Sequence, residues 1–287
     1  MIGVLLALLA AVGYGVSDFA GGVASRRVAA LRVVIVSYPL SVLILLVVAP
    51  LVGGHCDTAS MLWGLASGVA SGLAVWWFYA ALASGPMAVV SPLTAVLVAG
   101  VPVLVGMVTG ERSSPPAYVG IACALIAVVL VSKESPDDVT EEITGGRKLR
   151  FDRRVALLTV GSGLAFGLAF VCLHETTPSS GVWPVLLSRV AATVVVWVAA
   201  LAAGQFRAPR GEPLRLACYV SVLDVLANVA MQYAFHSGLL SLISVIGSLY
   251  PAATVLLAMV LLGERAGPLQ KIGMAMALGS VALIATA

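Results

Sequence analysis

The chain has 287 residues, of which 61% are hydrophobic and 10% are charged, and its mean hydropathy is +1.08. Soluble proteins carry about 25% charged residues, so this composition excludes a water-soluble domain. A membrane-spanning helix takes about 20 residues, and the chain is therefore long enough for about ten of them. The formal net charge of +3 is small, and we expect no nucleic-acid partner.

Ten apolar stretches, separated by Gly, Pro or charged residues, follow one another along the chain, and we interpret them as spanning helices. No positive residue precedes the first stretch, whereas Arg26 and Arg27 follow it, so we expect it to be retained rather than cleaved as a signal peptide. The predicted helices 1 to 10 cover residues 3–24, 28–49, 61–83, 88–109, 115–132, 154–173, 182–203, 214–236, 241–262 and 267–285.

One long hydrophilic segment, 133–153, divides these helices into five and five. We therefore predict a first repeat at 1–132, a charged cytoplasmic linker at 133–153 and a second repeat at 154–287. Most Lys and Arg residues follow predicted helices 1, 5, 7 and 9, and positive residues are retained on the cytoplasmic side. The linker is thus expected inside and both termini outside. These residues are Arg26, Arg27, Arg32, Lys133, Arg147, Lys148, Arg150, Arg153, Arg154, Arg207, Arg210, Arg215, Arg265 and Lys271.

The two halves repeat each other at an offset of 153 residues. The offset aligns Gly110-Glu111-Arg112 with Gly263-Glu264-Arg265, and Ser91 with Ser244. A weaker match, at an offset of 152, aligns Tyr14-Gly15 with Phe166-Gly167. Because five is an odd number of crossings, the second half enters the membrane in the opposite orientation. The predicted fold is an all-α integral membrane protein of ten transmembrane helices in two inverted five-helix repeats, an architecture typical of alternating-access carriers.

The ten-helix plan, the duplicated Gly-Glu-Arg and the run Ser248-Leu249-Tyr250-Pro251 resemble EamA-type transporters of the drug/metabolite transporter superfamily. The resemblance covers nearly the whole chain. It implies a secondary carrier for a small organic metabolite or drug, with substrate held among helices 1, 3, 4, 6, 8 and 9, and export as the direction. One departure is Val98, which stands in helix 4 where the repeat would place the counterpart of Pro251.

A polar stripe runs along predicted helix 8. Asp224, near its middle, is followed at intervals of four by Asn228 and Gln232, so the three lie within an arc of about 80°. Interhelical hydrogen bonding is one interpretation; cavity lining is the other, and it is favoured for Asp224 because a charge is costly inside a span. We expect Asp224 to bind substrate or a coupling ion such as a proton, and Asp224→Asn to fold like the parent yet lose uphill transport.

Predicted helix 9 carries a second stripe, Ser241, Ser244 and Ser248, followed by Tyr250 and Pro251. Such serines often permit close helix approach, and the alternative is that they face Asp224 across a cavity. Pro251 is expected to kink the helix. The partial counterpart in helix 4 is Ser91, Pro92 and Thr94.

Three further candidates lie in helices 1 and 3. Asp18 follows Tyr14 near the inner end of helix 1, and it is either a gate or coupling acid or a partner of Arg26 or Arg27. Trp76 in helix 3 is placed either to stack on a substrate or to join an interfacial aromatic belt. Arg189 in helix 7 is expected to reach Glu175 or to extend outward to the interface.

Glycines at intervals of four are expected to be packing sites for neighbouring helices. They are Gly64, Gly68 and Gly72 in helix 3, and Gly163 and Gly167 in helix 6. The duplicated acid–base pairs, for which a turn-stabilising salt bridge is expected, are Glu111 with Arg112 and Glu264 with Arg265.

No motif of hydrolytic, phosphate-binding or redox chemistry is present, and we predict no enzyme activity, cofactor or metal. The leading hypothesis is the carrier, in the plasma (inner) membrane of a bacterium, with the lipid bilayer and a small-molecule substrate as partners. An accessory subunit without transport activity is the alternative, and an intramembrane hydrolase that uses Ser17 or Ser91 with His174 or His236 is a weaker one. Both repeats lie in one chain, so a dimer is not required.

Overall fold

The computed structural model describes residues 1–25, 27–55, 57–82, 84, 87–131, 152–261 and 267–285. In that part of the chain all regular structure is helical, which agrees with the predicted all-α class. The helices are α1 (Ile2–Ser25), α2 (Ala30–Val52), α3 (Thr58–Leu82), α4 (Met87–Val108), α5 (Pro115–Val131), α6 (Arg153–His174), α7 (Trp183–Ala202), α8 (Glu212–Phe235), α9 (Leu240–Gly247), α10 (Tyr250–Leu261) and α11 (Pro268–Ala285).

Among the described residues, seven apolar segments are long enough to cross a membrane, including Leu240–Leu261, which α9 and α10 form together. Three further apolar segments are shorter: Leu93–Val108, Pro115–Val131 and Pro268–Ile284. A crossing needs roughly 17–25 residues. The structure therefore agrees with a multi-pass helical protein, while the number of ten crossings stays a prediction.

The outer surface of the helices is apolar. Leu43, Val47, Leu226 and Leu278 are all at least half exposed, and they belong to helices from both halves of the chain. Water would make such a surface costly, whereas hydrocarbon chains match it. The helices thus present a lipid-facing surface and keep their small residues for contacts with one another.

Helix contacts repeat between the two halves. The closest associations include α1 with α8 and α3 with α6, and the offset that relates the halves exchanges these two pairs. Two glycines show this correspondence between the halves at atomic detail. A Cβ on Gly15 of α1 would lie 2.7 Å from the Tyr250 carbonyl oxygen. Its counterpart Gly167 in α6 would meet the Leu97 carbonyl oxygen at 3.1 Å. Leu97 and Tyr250 are themselves 153 positions apart, so both repeats use one packing arrangement.

The glycines of α3 lie against the backbone of α7. A Cβ on Gly64 would stand 2.5 Å from the Pro184 carbonyl oxygen, and one on Gly68 would collide with Ser188. Gly72 faces the side chain of Val195, with 2.7 Å between the added Cβ and the Val195 Cβ, and Gly163 of α6 faces the side chain of Leu97 at 2.6 Å. These positions bring helix axes closer than any side chain would allow.

The ninth apolar segment is interrupted between α9 and α10 at Ser248 and Leu249. Pro251 explains the break, because its ring would clash with the carbonyl of Gly247, four residues earlier. In α10 the proline stands in the first turn, where no backbone donor is needed. Helix α4, the related segment of the first half, stays continuous over Met87–Val108. This difference is expected, because α4 has Val98 at the position that corresponds to Pro251.

Several sequence predictions lie outside the described residues. They concern nearly all of the linker 133–153, the pair Glu264 and Arg265, and the side chain of Ser91. We call the face of the molecule at which α5 ends and α6 begins the linker side, and the opposite face the far side.

Candidate functional site

A buried ion pair between α7 and α8 forms the centre of the candidate site. Arg189 Nη2 donates to Asp224 Oδ1 at 2.7 Å, and the two side chains are only 7% and 13% exposed. Asp224 lies near the middle of α8, and Arg189 lies in α7 beyond its first turn. The structure thus directs Arg189 towards Asp224, whereas the sequence favoured Glu175 or the interface.

Neutral groups complete the surroundings of the pair. Ser41 Oγ of α2 donates to Asp224 Oδ2 at 3.2 Å, and Asn228 Nδ2 donates to Asp224 Oδ1 at 3.1 Å. The Arg189 guanidinium carbon lies 4.7 Å from the centre of the Tyr38 ring, a cation–π geometry. Three helices, α2, α7 and α8, therefore converge on one carboxylate.

Removal of one member of the Arg189–Asp224 pair would be more costly than the presence of the intact pair. A buried pair loses much of its mutual attraction to desolvation, but removal of one partner leaves an uncompensated charge and costs about 3–5 kcal/mol. Within the described residues, Arg189 Nε is buried and has no hydrogen-bond partner. The guanidinium therefore retains a donor that an additional acceptor, from water or a ligand, can satisfy.

Aromatic and acidic side chains continue the site towards the linker side. Tyr14 of α1 and Tyr250 of α10 meet edge to face, with 6.5 Å between ring centroids. Asp18 of α1 interacts electrostatically with Asp224, Tyr79 and Tyr250, yet its side chain is exposed. Asp18 is therefore an exposed acid one turn from Tyr14, near the linker-side end of α1.

A second polar cluster joins the far ends of α6 and α8. Gln232 Nε2 donates to Thr176 Oγ1 at 2.6 Å, and His236 Nε2 donates to the Thr176 carbonyl oxygen at 2.9 Å. Burial lowers the pKa of His236 more than its hydrogen bond to the Thr176 carbonyl raises it. The stripe on α8 therefore divides, since Gln232 serves this cluster and not the central ion pair.

Asp57 forms a further link on the far side, ahead of α3. Its carboxylate accepts from Ser60 N at 2.8 Å and from Thr177 Oγ1 at 2.9 Å. These hydrogen bonds, first that of the Ser60 backbone, hold the pKa of Asp57 below its usual range. Asp57 thereby caps α3 and ties it to the segment that follows α6.

Glu111 binds the start of α9 on the far side. Its Oε1 accepts from Leu240 N at 2.6 Å and its Oε2 accepts from Ser241 N at 3.1 Å. The expected turn-stabilising salt bridge with Arg112 is therefore replaced by a helix cap between the two halves. A carboxylate suits this place because the first backbone N–H groups of a helix have no partner within it.

The remaining predicted residues have varied surroundings. Ser248 Oγ donates to the Val245 carbonyl within its own turn. The hydroxyls of Thr94 and Ser244 are buried and have no hydrogen-bond partner within the described residues, and Trp76 is half-buried in α3. Ser91 lies outside the described side chains. Contact of these residues with a substrate stays a prediction.

Three residues of the central cluster, Arg189, Tyr38 and Ser41, were not among the sequence candidates for binding or coupling. A signal for Arg189 did exist, since it lies deeper inside a predicted helix than any other Lys or Arg, and Asp224 is a mid-helix acid in the next one. Tyr38 and Ser41 are three residues apart on one helix face, a pattern too common among apolar helices to single them out.

Helices of this length and apolarity, with charges buried between them, define a multi-pass membrane protein. A family model described as "EamA-like transporter family" matches residues 1–133 and again 153–286. The chain belongs to this family and is a membrane transporter of the drug/metabolite transporter superfamily, which confirms the resemblance seen in the sequence.

The fold is also similar to that of a solved structure described as "Crystal structure of protein". The TM-score is 0.71 at 17% sequence identity, over 98% of this chain and 94% of the other. At that identity the likeness concerns the fold alone. A comparison with curated proteins found no match.

Proposed function

We propose that the protein is a secondary active transporter that exports a small organic metabolite or drug across the plasma membrane by alternating access. The observation that carries this proposal is the Arg189–Asp224 pair, buried among the helices of a protein from a transporter family. Charges inside a membrane protein usually face a substrate or ion pathway. The pair offers a substrate both a cation and an anion, with the Tyr38 ring beside them.

The substrate pathway in this proposal lies between the two halves and opens on the linker side. The exposed side chain of Asp18, on which the charge of Asp224 acts, supports the opening. Gln232 of α8 donates to Thr176 and Leu240 of α9 donates to Glu111, and these hydrogen bonds support closure on the far side. Opening the far side would require these bonds to break while the linker side closes over Asp18.

The membrane topology that we propose has ten crossings, inverted halves, the linker in the cytoplasm and both termini outside. The bias of Lys and Arg towards the linker side supports it. Alkaline phosphatase fused after Ala287 should then be active in a bacterial host, and a fluorescent protein fused there should be dark. A bright fluorescent fusion with inactive phosphatase would overturn this orientation.

Comparison of metabolites inside and outside cells that lack or overproduce the protein should identify the substrate. The purified protein in proteoliposomes should then carry that solute with saturable kinetics. The double variant Arg189→Gln/Asp224→Asn should bind it more weakly, whereas Arg27→Gln/Glu212→Gln, which removes an exposed ion pair, should not. Absence of flux in the parent protein would favour the alternative of an accessory subunit.

A further inference from the structure

A cationic cavity lies on the linker side, apart from the central ion pair. It has a volume of about 550 Å³ and is lined by Arg32, Arg207, Ala208, Pro209 and Arg210. Small-molecule sites commonly fall between about 300 and 1,000 Å³. Among the described residues, three of the five that line the cavity are arginines and none is acidic, a composition that suits an anion.

Within the described residues, no ion pair involves Arg32, Arg207 or Arg210, whereas Arg27 on the same face is paired. Glu212, the acid that follows Arg210 at the start of α8, pairs instead with Arg27. Arg32 Nε is buried and has no hydrogen-bond partner within the described residues. A guanidinium left in this condition gains from an acceptor with several oxygens, because it can donate two parallel hydrogen bonds.

The loop between α7 and α8 is held in place around the cavity. Gln205 N donates to the Ala200 carbonyl at 2.8 Å. The rings of Phe206 and Trp197 meet edge to face, with 5.9 Å between their centroids. Trp197 Nε1 donates to the Ile35 carbonyl at 3.1 Å, which joins α7 to α2. Pro209 is buried. Arg207 and Arg210 are therefore presented by a fixed backbone beside the first turn of α2.

The position of the cavity matches that of a lipid headgroup. It adjoins the end of α7 and the start of α8, and Trp197 and Phe206 next to it are partly exposed, as aromatic residues at a membrane interface often are. Basic pockets between transmembrane helices on the cytoplasmic side are suited to anionic headgroups.

We propose that Arg32, Arg207 and Arg210 form a binding site for a phosphate group, supplied by an anionic phospholipid of the surrounding leaflet. The guanidinium groups donate hydrogen bonds to the phosphate oxygens, while the acyl chains lie along the apolar outer surface of the helices. A soluble phosphate compound shares the same chemistry, and the experiment below separates the two sources. The site is independent of the proposed transport activity.

The test measures lipid binding to the purified full chain in detergent by native mass spectrometry. The probes are phosphatidylglycerol, phosphatidylcholine and inorganic phosphate. The parent should retain phosphatidylglycerol in preference to phosphatidylcholine. Each basic residue near the surface contributes about a fivefold gain in affinity for anionic lipid, so Arg207→Gln/Arg210→Gln should weaken binding by roughly 25-fold. Both side chains are exposed, and the variant should fold normally.

A matched control removes two other exposed arginines of the linker side, Arg153→Gln/Arg154→Gln. Its phosphatidylglycerol affinity should fall far less. Restoring charge with Arg207→Lys/Arg210→Lys should recover most of the binding. Failure of inorganic phosphate to displace phosphatidylglycerol would assign the site to a lipid, and displacement at millimolar phosphate would assign it to a soluble anion. Equal loss in the control pair, or no loss in the cavity variant, would overturn the proposal.

Discussion

Neutralising Asp224 alone should destabilise the protein, because it leaves the Arg189 guanidinium buried without its counter-charge. Arg189 is 6% exposed, so water offers little compensation. Asp224→Asn and Arg189→Gln should each lower the free energy of unfolding by about 3–5 kcal/mol. The double variant removes both charges, and it should be less destabilised than the sum of the two by about 2–3 kcal/mol.

The assay is unfolding of the purified protein in mixed micelles, followed by circular dichroism as the fraction of SDS increases. A second cycle on the exposed pair Arg27 and Glu212 serves as the control, with an expected coupling of about 0–1 kcal/mol. Additive effects at Arg189 and Asp224 would refute the reasoning, since they would mean that the two charges do not stabilise each other.

The ion pair also changes how a transport defect at Asp224 should be interpreted. The sequence alone led us to expect that Asp224→Asn folds like the parent, whereas the structure predicts a loss of stability. The variant Arg189→Gln/Asp224→Asn is therefore the sharper test of coupling. It should accumulate in the membrane and lose uphill transport, and transport at the parental rate with the parental pH dependence would exclude a coupling role for Asp224.

Three further predictions concern helix packing, capping and pH. Gly15→Ala should lower the free energy of unfolding by about 1–3 kcal/mol, because the added Cβ would meet the Ala253 Cβ at 2.5 Å. The control, Gly21→Ala, lies in the same helix with open space around it. It should be neutral or stabilising in the same unfolding assay. Glu111→Gln should cost about 1 kcal/mol through loss of the charged cap on α9, and Arg112→Gln should melt like the parent. Because the folded pKa of Asp57 lies below its unfolded value, its contribution is present above the unfolded pKa, near 4, and is lost as pH falls through the folded pKa. Asp57→Asn should flatten this acid-side dependence of the melting temperature, and an unchanged dependence would contradict the assignment.

Much of the fold could be predicted because the membrane restricts the solutions. Backbone groups in hydrocarbon must bond within their own helix, so apolar stretches such as 3–24 and 154–173 correspond closely to α1 (Ile2–Ser25) and α6 (Arg153–His174). The repeat was also visible, since the offset between the halves survives in motifs at turns. The packing of Gly15 and Gly167 shows that even the weaker match had a structural cause.

The partners of polar side chains could not be predicted in the same way. Asp224, Asn228 and Gln232 share a helix face, but a face extends over more than one neighbouring helix. Gln232, two turns beyond Asp224, meets Thr176 of the segment after α6 rather than Arg189 of α7. Glu111 likewise finds its partners 129 and 130 residues away, a relation that spacing along the chain does not encode.

The interruption between α9 and α10 has a consequence for how the two halves can exchange shapes. In an inverted-repeat carrier, one half takes up in the second state the form that the other half has in the first. Here α4 is continuous and lacks a proline at Val98. Its prolines are Pro92 and Pro102, and Pro102 comes four residues later than the position related to Pro251. Four residues correspond to about 6 Å along a helix. Under the proposed alternating access, a bend of α4 at Pro102 would lie about one turn away from its counterpart. The inward-facing and outward-facing forms would then differ in shape and in energy, and an empty carrier would rest with one side preferentially open.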